Sequence, residues 1–323
     1  MTAAVVVTTR NEAATVDALL DAVAALEPAP DEVVLVDGGS TDGTAAAARR
    51  HVARLPALRV LEAPGSNISR GRNVGIAATR SDVIAVTDAG CVPDRDWLAR
   101  LLVPFGDDGT VGVVQGVTRP DAQSHLEACI GRCSLAFAAW IGGQPVYPTA
   151  RTLAFRRTVW AEVGGFPEDL PFGEDAAFVV RAARVARLHV EPRAVVGWRP
   201  RRTYGEVVRQ FYHYADGLAR AGLSGSFHVR TALQSLGGVA LLLTGLALRR
   251  AWPLVLLAVL AGSYLARKAR QGCFAVPTWR TLYRVPLVLL AIHAGTMAGM
   301  LHGQWRRWRA GGRPTGPAPA AAP

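Results

Sequence analysis

Val83-Ile84-Ala85-Val86-Thr87-Asp88-Ala89-Gly90-Cys91 carries the pattern on which the fold turns. A strand covered on both faces has no solvent side to alternate toward, so it reads as a continuous apolar run. This run ends on a carboxylate and a glycine turn. The pattern recurs upstream. Val33–Val36 leads into Asp37-Gly38-Gly39-Ser40-Thr41-Asp42-Gly43-Thr44, and the opening run from Ala3 leads into Thr8-Thr9-Arg10-Asn11-Glu12. Leu58–Leu61 is a fourth run. Residues 12–26, 42–54 and 68–79 between them are helical in pattern, the first with Ala14, Leu19, Ala22, Val23 and Leu26 on one stripe. Strands alternating with crossover helices predict an α/β fold whose sheet is mostly parallel and covered on both faces. Such sheets bind ligands at the carboxyl ends of their strands. Farther along, the pattern predicts helices over 96–105, 121–140, 174–186 and 203–221, and strands over 111–117, 152–155 and 194–197.

Composition sets the broad class. The chain has 323 residues, 50% apolar and 19% charged, which excludes wholesale disorder. Four cysteines without paired spacing are no disulfide framework and point to a reducing compartment. The net charge of +11 suggests a nucleic-acid partner until its distribution is read. Asp216 is the last acidic residue, and eleven of the 36 basic residues lie beyond position 230, so residues 1–230 balance 25 basic against 25 acidic residues. A neutral body without a recognition motif gives no reason to expect nucleic acid.

The excess charge interleaves with three apolar segments, Ala232–Leu248, Ala251–Ala266 and Val285–Leu301. At 16–17 residues each, or roughly 25 Å of helix, they fall short of the about 20 residues a span needs. Trp252, Trp279, Trp305 and Trp308 stand beside arginines at their ends, as interfacial anchors do. The N-terminus lacks the basic region of a signal peptide. The expectation is a catalytic domain over 1–225, two or three membrane-associated helices over 226–310 and a disordered Pro/Ala/Gly tail over 311–323. The catalytic domain would face the cytoplasm at the cytoplasmic membrane. Every flank of the apolar segments is basic, which conflicts with three full spans and suggests that one segment is re-entrant or interfacial.

Five strings place chemistry at the expected sheet edge, each with a plainer alternative. Thr8–Glu12 opens a helix N-terminus, which attracts anions, or is simply a cap. Asp37 after its strand suits hydrogen bonds from a base or ribose, or starts a tight turn. Ser69-Arg70-Gly71-Arg72-Asn73-Val74-Gly75 offers guanidinium groups to phosphate, or a solvated basic face. Asp88 suits a hard divalent cation. Gly164-Gly165-Phe166-Pro167 followed by Phe172-Gly173-Glu174-Asp175 sets two acids in a first helical turn. There they act on a substrate or stabilise the helix dipole.

In this order and spacing the strings resemble the inverting family-2 glycosyltransferases with the type A, nucleotide-diphospho-sugar transferase fold, over about residues 1–220. The resemblance implies that Thr8, Arg10 and Asp37 contact the nucleoside and that Arg72, Asn73 and Asp88 serve the donor. It makes Asp88 the metal ligand, Asp175 the general base and Glu174 its support. It implies Mg²⁺ or Mn²⁺, a nucleoside-diphosphate sugar as donor, and a hydroxyl acceptor that is lipid-linked or a cell-envelope glycan. One residue departs from the family pattern: Gly90 stands where D-x-D ends, leaving Asp88 to work with water or with Asp94, or metal dependence to be weak. Arg209-Gln210-Phe211-Tyr212-His213-Tyr214 lacks the Q-x-x-R-W form of chain-polymerising members. The alternatives are a polyprenyl-phosphate sugar synthase, whose acceptor needs little base help, and an inactive membrane scaffold. His125, Cys129 and Cys133 share a helix face suited to packing rather than zinc, and Cys91 reads as a small buried residue.

Overall fold

The computed structural model describes residues 1–135, 139–141, 144–146, 148–223 and 226–309. It divides into two compact units, Met1–Asp121 with Ala138–Arg199, and Ala122–Phe137 with Pro200–Pro323. The expected tail at 311–323 lies outside the described residues.

The first unit opens with β1 (Ala3–Thr9), α1 (Val16–Ala24), β2 (Glu32–Asp37), α2 (Thr44–Arg50), β3 (Leu58–Glu62), α3 (Ile68–Ala77) and β4 (Val83–Asp88). These four strands pair in parallel in the order β3-β2-β1-β4. Their unbroken apolar character follows from burial on both sides. Val5 and Val7 of β1 pack with Leu19, Leu20 and Val23 of α1. Ala4 and Val6 pack on the other face with Val34 and Ile76. Helix α3 lies so close to the sheet that a Cβ on Gly75 would stand 2.6 Å from a Val6 methyl. That approach brings Arg72, one turn earlier, over the sheet edge.

Next come β5 (Cys91–Pro93), α4 (Trp97–Asp107) and β6 (Val111–Pro120). They are completed, after α5 (His125–Leu135) of the second unit, by β7 (Ala139–Ile141), β8 (Gln144–Val146), β9 (Leu153–Arg156), α6 (Arg157–Glu162), α7 (Glu174–Val185) and β10 (Arg187–Trp198). The eight-stranded sheet runs β3-β2-β1-β4-β9-β6-β10-β5, with β9 antiparallel to both neighbours and β5 antiparallel to β10. This is the expected mixed, mostly parallel sheet. Two elements differ from expectation. Residues 121–140 are no single helix: α5 ends at Leu135 and β7 begins at Ala139. β10 has 12 residues rather than the four of 194–197, because Arg187, His189, Glu191 and Arg193 break the apolar run without breaking the strand.

The second unit contains α5, α8 (Tyr204–Arg220), α9 (Ser226–Leu248), α10 (Ala251–Arg270) and α11 (Thr281–Arg309). Hydropathy alone divides the chain at 225/226, whereas packing groups α5 and α8 with the apolar helices. Cys129, Ile130 and Cys133 of α5, and Val207 and Phe211 of α8, share a core with Val285, Val288 and Ile292 of α11. The last three helices have 23, 20 and 29 residues, longer than their apolar runs, because basic and polar residues continue each one past its apolar stretch. Two described stretches are long and apolar enough to cross a membrane, Arg230–Leu248 and Thr281–Arg309, with mean hydropathy 1.6 and 1.5.

Candidate active site

Strand register assembles one edge. Thr9 pairs with Asp37 and Thr8 with Asp88, so the ends of β1, β2 and β4 are level. Asp37 is 2% exposed. Its Oδ1 accepts from the N–H groups of Gly39 (2.9 Å) and Ser40 (2.7 Å), which ties the turn. Its Oδ2 is buried with no partner among the described residues, as are the hydroxyls of Thr8, Ser66, Ser69 and Thr87. Buried polar atoms left unpaired are costly.

The loops after β1 and β2 are laced together. Asn11, at φ 56°, donates its N–H to Ser40 Oγ (2.8 Å) and accepts from the Thr41 N–H (2.9 Å). The N–H of Glu12 donates to Thr44 Oγ1 (2.8 Å) and that of Ala13 to Asp42 Oδ2 (3.0 Å). Arg10 stands exposed at the rim.

Arg72 is the hub. It is 1% exposed, its Nη2 donates to Asp88 Oδ1 (2.7 Å), its Nη1 donates to Glu174 Oε1 (2.6 Å), and its guanidinium lies 5.2 Å from the Phe166 ring centre. Burial alone would lower its pKa, but Asp88, Glu174 and Asp175 together raise it, so the charge is permanent. Arg72, expected to serve the donor, here holds two carboxylates through its Nη groups, while its Nε is buried with no partner among the described residues. Asn73 is likewise committed. Its amide nitrogen donates to Phe166 O (2.8 Å) and Glu168 Oε1 (2.9 Å), and its oxygen accepts from Phe166 N (2.9 Å) and Trp160 Nε1 (3.1 Å). These bonds pin the turn before α7. Gly165, at φ 75°, leaves room for this, since a Cβ there would be 2.8 Å from Asn73 Oδ1.

That turn sets up the acidic pair. Phe166 stacks on Phe178 of α7 at 4.2 Å, and Gly173 enters α7 with φ 77°. Glu174 is buried, and desolvation together with Asp175 pushes its pKa up to about 7 against the pull of Arg72. Asp175 is half-buried and accepts from the N–H groups of Ala176 (2.8 Å) and Ala150 (3.3 Å). Burial raises its pKa too, opposed by Arg72. Phe166 is buried beside the acidic pair, whereas Phe172 is exposed.

Asp94 does not assist Asp88, because Arg119 holds both its oxygens at 2.8 and 2.9 Å. The carboxylate beside Gly90 is that of Glu12, 4.0 Å from where a Cβ would stand. Its only sequence signal is its place in the Thr8–Glu12 string. Among the described residues no three His, Cys, Asp or Glu side chains converge on a metal position. Cys91 is inert, its thiol pushed up to about 12 by burial and then by Asp88.

Residues 4–128 match the model of glycosyl transferase family 2. This stretch is a family-2 glycosyl transferase domain. The chain is 28% identical over 220 residues to the glycosyltransferase AglE of Haloferax volcanii, covering 66% of this chain and 71% of that one. It is 30% identical over 236 residues to the pre-mycofactocin glycosyltransferase of Mycobacterium tuberculosis, across 66% of this chain but about half, 48%, of that relative. Among solved structures it resembles the mannosyltransferase PcManGT of Pyrobaculum calidifontis, determined with GDP-Man and Mn²⁺. There the TM-score is 0.61 and the identity 25%, over 94% of this chain and 87% of the other. The type A glycosyltransferase fold expected from the five strings is thereby shown.

Proposed function

We propose that this family-2 domain moves a sugar from a nucleoside-diphosphate sugar to a hydroxyl acceptor with inversion. The reading rests on Arg72 bonding at once to Asp88, on the edge where donors bind in such sheets, and to Glu174, beside the partly dry Asp175. Asp37 Oδ2 and Thr8 Oγ1, buried and unpartnered, suit a ribose and base. Arg10 at the rim would serve the same nucleoside. Arg72 acts here by positioning the two carboxylates, and Asn73 by holding the turn beneath them.

The donor set fits one hard divalent cation, Mg²⁺ or Mn²⁺. Asp88 Oδ1 is taken by Arg72, leaving Oδ2 as the carboxylate ligand, and diphosphate and water oxygens complete such shells. When bound, the ion would supply charge neutralisation for the departing diphosphate. Asp175 takes the acceptor proton as the acceptor oxygen attacks the anomeric carbon from the face opposite the diphosphate. The bond to the diphosphate breaks, and its electron pair leaves with the nucleoside diphosphate. The N–H groups of Ala150 and Ala176 hold Asp175 in place, and α7's N-terminus favours its ionised form.

The acceptor is lipid-linked or a cell-envelope glycan, met at the cytoplasmic membrane by a catalytic domain facing the cytoplasm. The apolar helices beyond residue 225 and the four free thiols support this reading. A panel of nucleotide sugars, read by thermal protection and by hydrolysis, tests it. Protection by at least one nucleoside-diphosphate sugar, lost in Asp37→Ala, is expected, and no response to any member sinks the proposal. Undiminished turnover in Asp175→Asn would instead point to a phosphate acceptor, as in polyprenyl-phosphate sugar synthesis.

A further inference from the structure

Hydropathy selects α9 and α11 as spans, but packing within the second unit divides the helices differently. We propose that α9 and α10 cross the bilayer together as a hairpin, while α11 lies flat in the interface of the near leaflet. This deepens the membrane association proposed above and rests on it.

The case against a spanning α11 starts with its glycines. A Cβ on Gly295, Gly299 or Gly303 would stand 2.3 Å from Val208 O, 2.1 Å from Tyr212 O and 2.6 Å from Asp216 O. The two backbones therefore touch over two turns. Helix α8 is strongly polar on its other faces, with Glu206, Arg209 and Arg220, and its buried Asp216 is 3.1 Å from His302 of α11. On the N-terminal half, α5, with Glu127 and Arg132, packs against Val285, Val288 and Ile292. A charged residue at the bilayer centre costs about 2.5–3.5 kcal/mol even on insertion scales. A helix clad along one side by two charged helices cannot have its midpoint in hydrocarbon. Its opposite face is apolar and bare, with Leu287, Leu290 and Leu301 exposed between Tyr283 at one end and Trp305 at the other. Arg280 and Arg284 flank the first end, and Arg306, Arg307 and Arg309 the second. An apolar stripe with aromatic ends and basic flanks is the pattern of an in-plane helix.

The hairpin is built otherwise. On α9, Leu233, Leu236, Val239 and Leu242 are exposed in several directions, and on α10 Trp252, Leu254, Val255 and Leu260 are. A helix apolar around most of its girth belongs in lipid. The two helices touch each other where Gly245 admits Leu254, whose Cδ2 is 2.7 Å from the Cβ position.

The length of the hairpin decides its reach. His293, midway along α11, bonds Ser235 Oγ of α9 through Nδ1 (3.1 Å) and Tyr264 OH of α10 through Nε2 (2.9 Å). From that level to the tip, Ser235 to Leu248 and Ala251 to Tyr264, each arm is 14 residues, or about 20 Å end to end at 1.5 Å per residue. An in-plane helix sits roughly 5–10 Å into the headgroup boundary. Depth plus arm is about 25–30 Å, against a hydrocarbon core of about 30 Å. Arg249, left-handed at φ 49°, and Arg250 close the hairpin where the far headgroups lie. Beyond Asp216 the sequence has no acidic residue to oppose anionic lipid at either level.

The test uses the full chain reconstituted into vesicles of phosphatidylcholine and phosphatidylglycerol. Arg250→Cys, with Leu248→Cys as a second tip position, is probed with a membrane-impermeant maleimide. The wild type reports any background from its four buried cysteines. Nitroxides at Leu287→Cys, Ala294→Cys and Leu301→Cys report depth along α11. The expected result is tip labelling only from the face opposite that where the Met1 end is cleaved by protease, with one shallow depth shared by the three nitroxides. Tip labelling from the Met1 face overturns the hairpin. A depth that passes through the bilayer centre along α11 overturns the in-plane helix. Protein that stays monodisperse in high salt without detergent and does not float with the vesicles overturns the membrane association itself.

Discussion

Both units are rich in valine, leucine and alanine, yet they send them in opposite directions. In β1, β2 and β4 the apolar side chains are sealed on both faces, and the polar chemistry collects at the strand ends, where the backbone leaves the sheet. In α9 and α10 the apolar side chains face outward, and the polar groups Ser235 and Tyr264 are turned inward to bond His293 of α11. The same composition thus builds a polar-tipped sheet edge in one place and an exposed apolar surface in the other. What separates them is the location of unsatisfied polar atoms. In the first unit Asp37 Oδ2 and a group of hydroxyls have no partner among the described residues, whereas Ser235, Tyr264 and His293 bond one another.

Perturbing each region should therefore break different properties. The largest effect is expected at the base. Asp175→Asn keeps the shape of the site and removes its basicity, so kcat with a hydroxyl acceptor should fall by about 10²–10⁴, with donor Kd unchanged. A fall in donor affinity of similar size would mean that Asp175 serves binding instead. At the nucleoside end, Asp37→Ala should weaken the donor by about 10–100-fold, the range for a lost hydrogen bond to a charged group, about 1.5–3 kcal/mol. Calorimetry on the folded variant reads this, and an unchanged Kd would remove Asp37 from the donor site.

Gly299→Leu tests the other region. With Tyr212 O 2.1 Å from the Cβ position, the added side chain should destabilise the second unit by at least about 1–3 kcal/mol. Hydrogen exchange should accelerate in α8 and α11, with the amides of β1, β2 and β4 unchanged. Loss of protection in the sheet would show that the two units unfold together.

The smallest effect is a pH slope. The pKa of Glu174 rises from its ordinary 4.5 to about 7 on folding, through desolvation and then Asp175. Between those values the folded chain keeps a proton that the unfolded chain has released. Stability from this group is therefore greatest below about 4.5, falls as pH rises toward about 7 and is flat above it. Melting temperature measured across that window should decline in the wild type and flatten in Glu174→Gln. An equal decline in both would clear Glu174 of responsibility.

The first four strands and their terminal carboxylates were legible because burial on both faces writes itself as an unbroken apolar run. β10 was only partly legible, because charged residues interrupt it along most of its length. The roles of Arg72 and Asn73 could not be read from spacing. Apart from Asp88, their partners lie about 100 residues away in sequence, at Glu174 and at Phe166 to Glu168, and meet them only when α3 and α7 pack on one face of the sheet. Glu12 was hidden by a helix start that any cap could explain, and Asp94 drew notice by lying near Gly90 in sequence while Arg119 held it in space.

The stitching of the β1 and β2 loops has an entropic consequence. Asn11, Glu12 and Ala13 are tied to Ser40, Thr41, Thr44 and Asp42 before any ligand arrives. A rim already so constrained has little freedom left to surrender. The free energy of each contact made there goes into affinity rather than into ordering the chain, and a ligand too small to reach both loops still finds both in place.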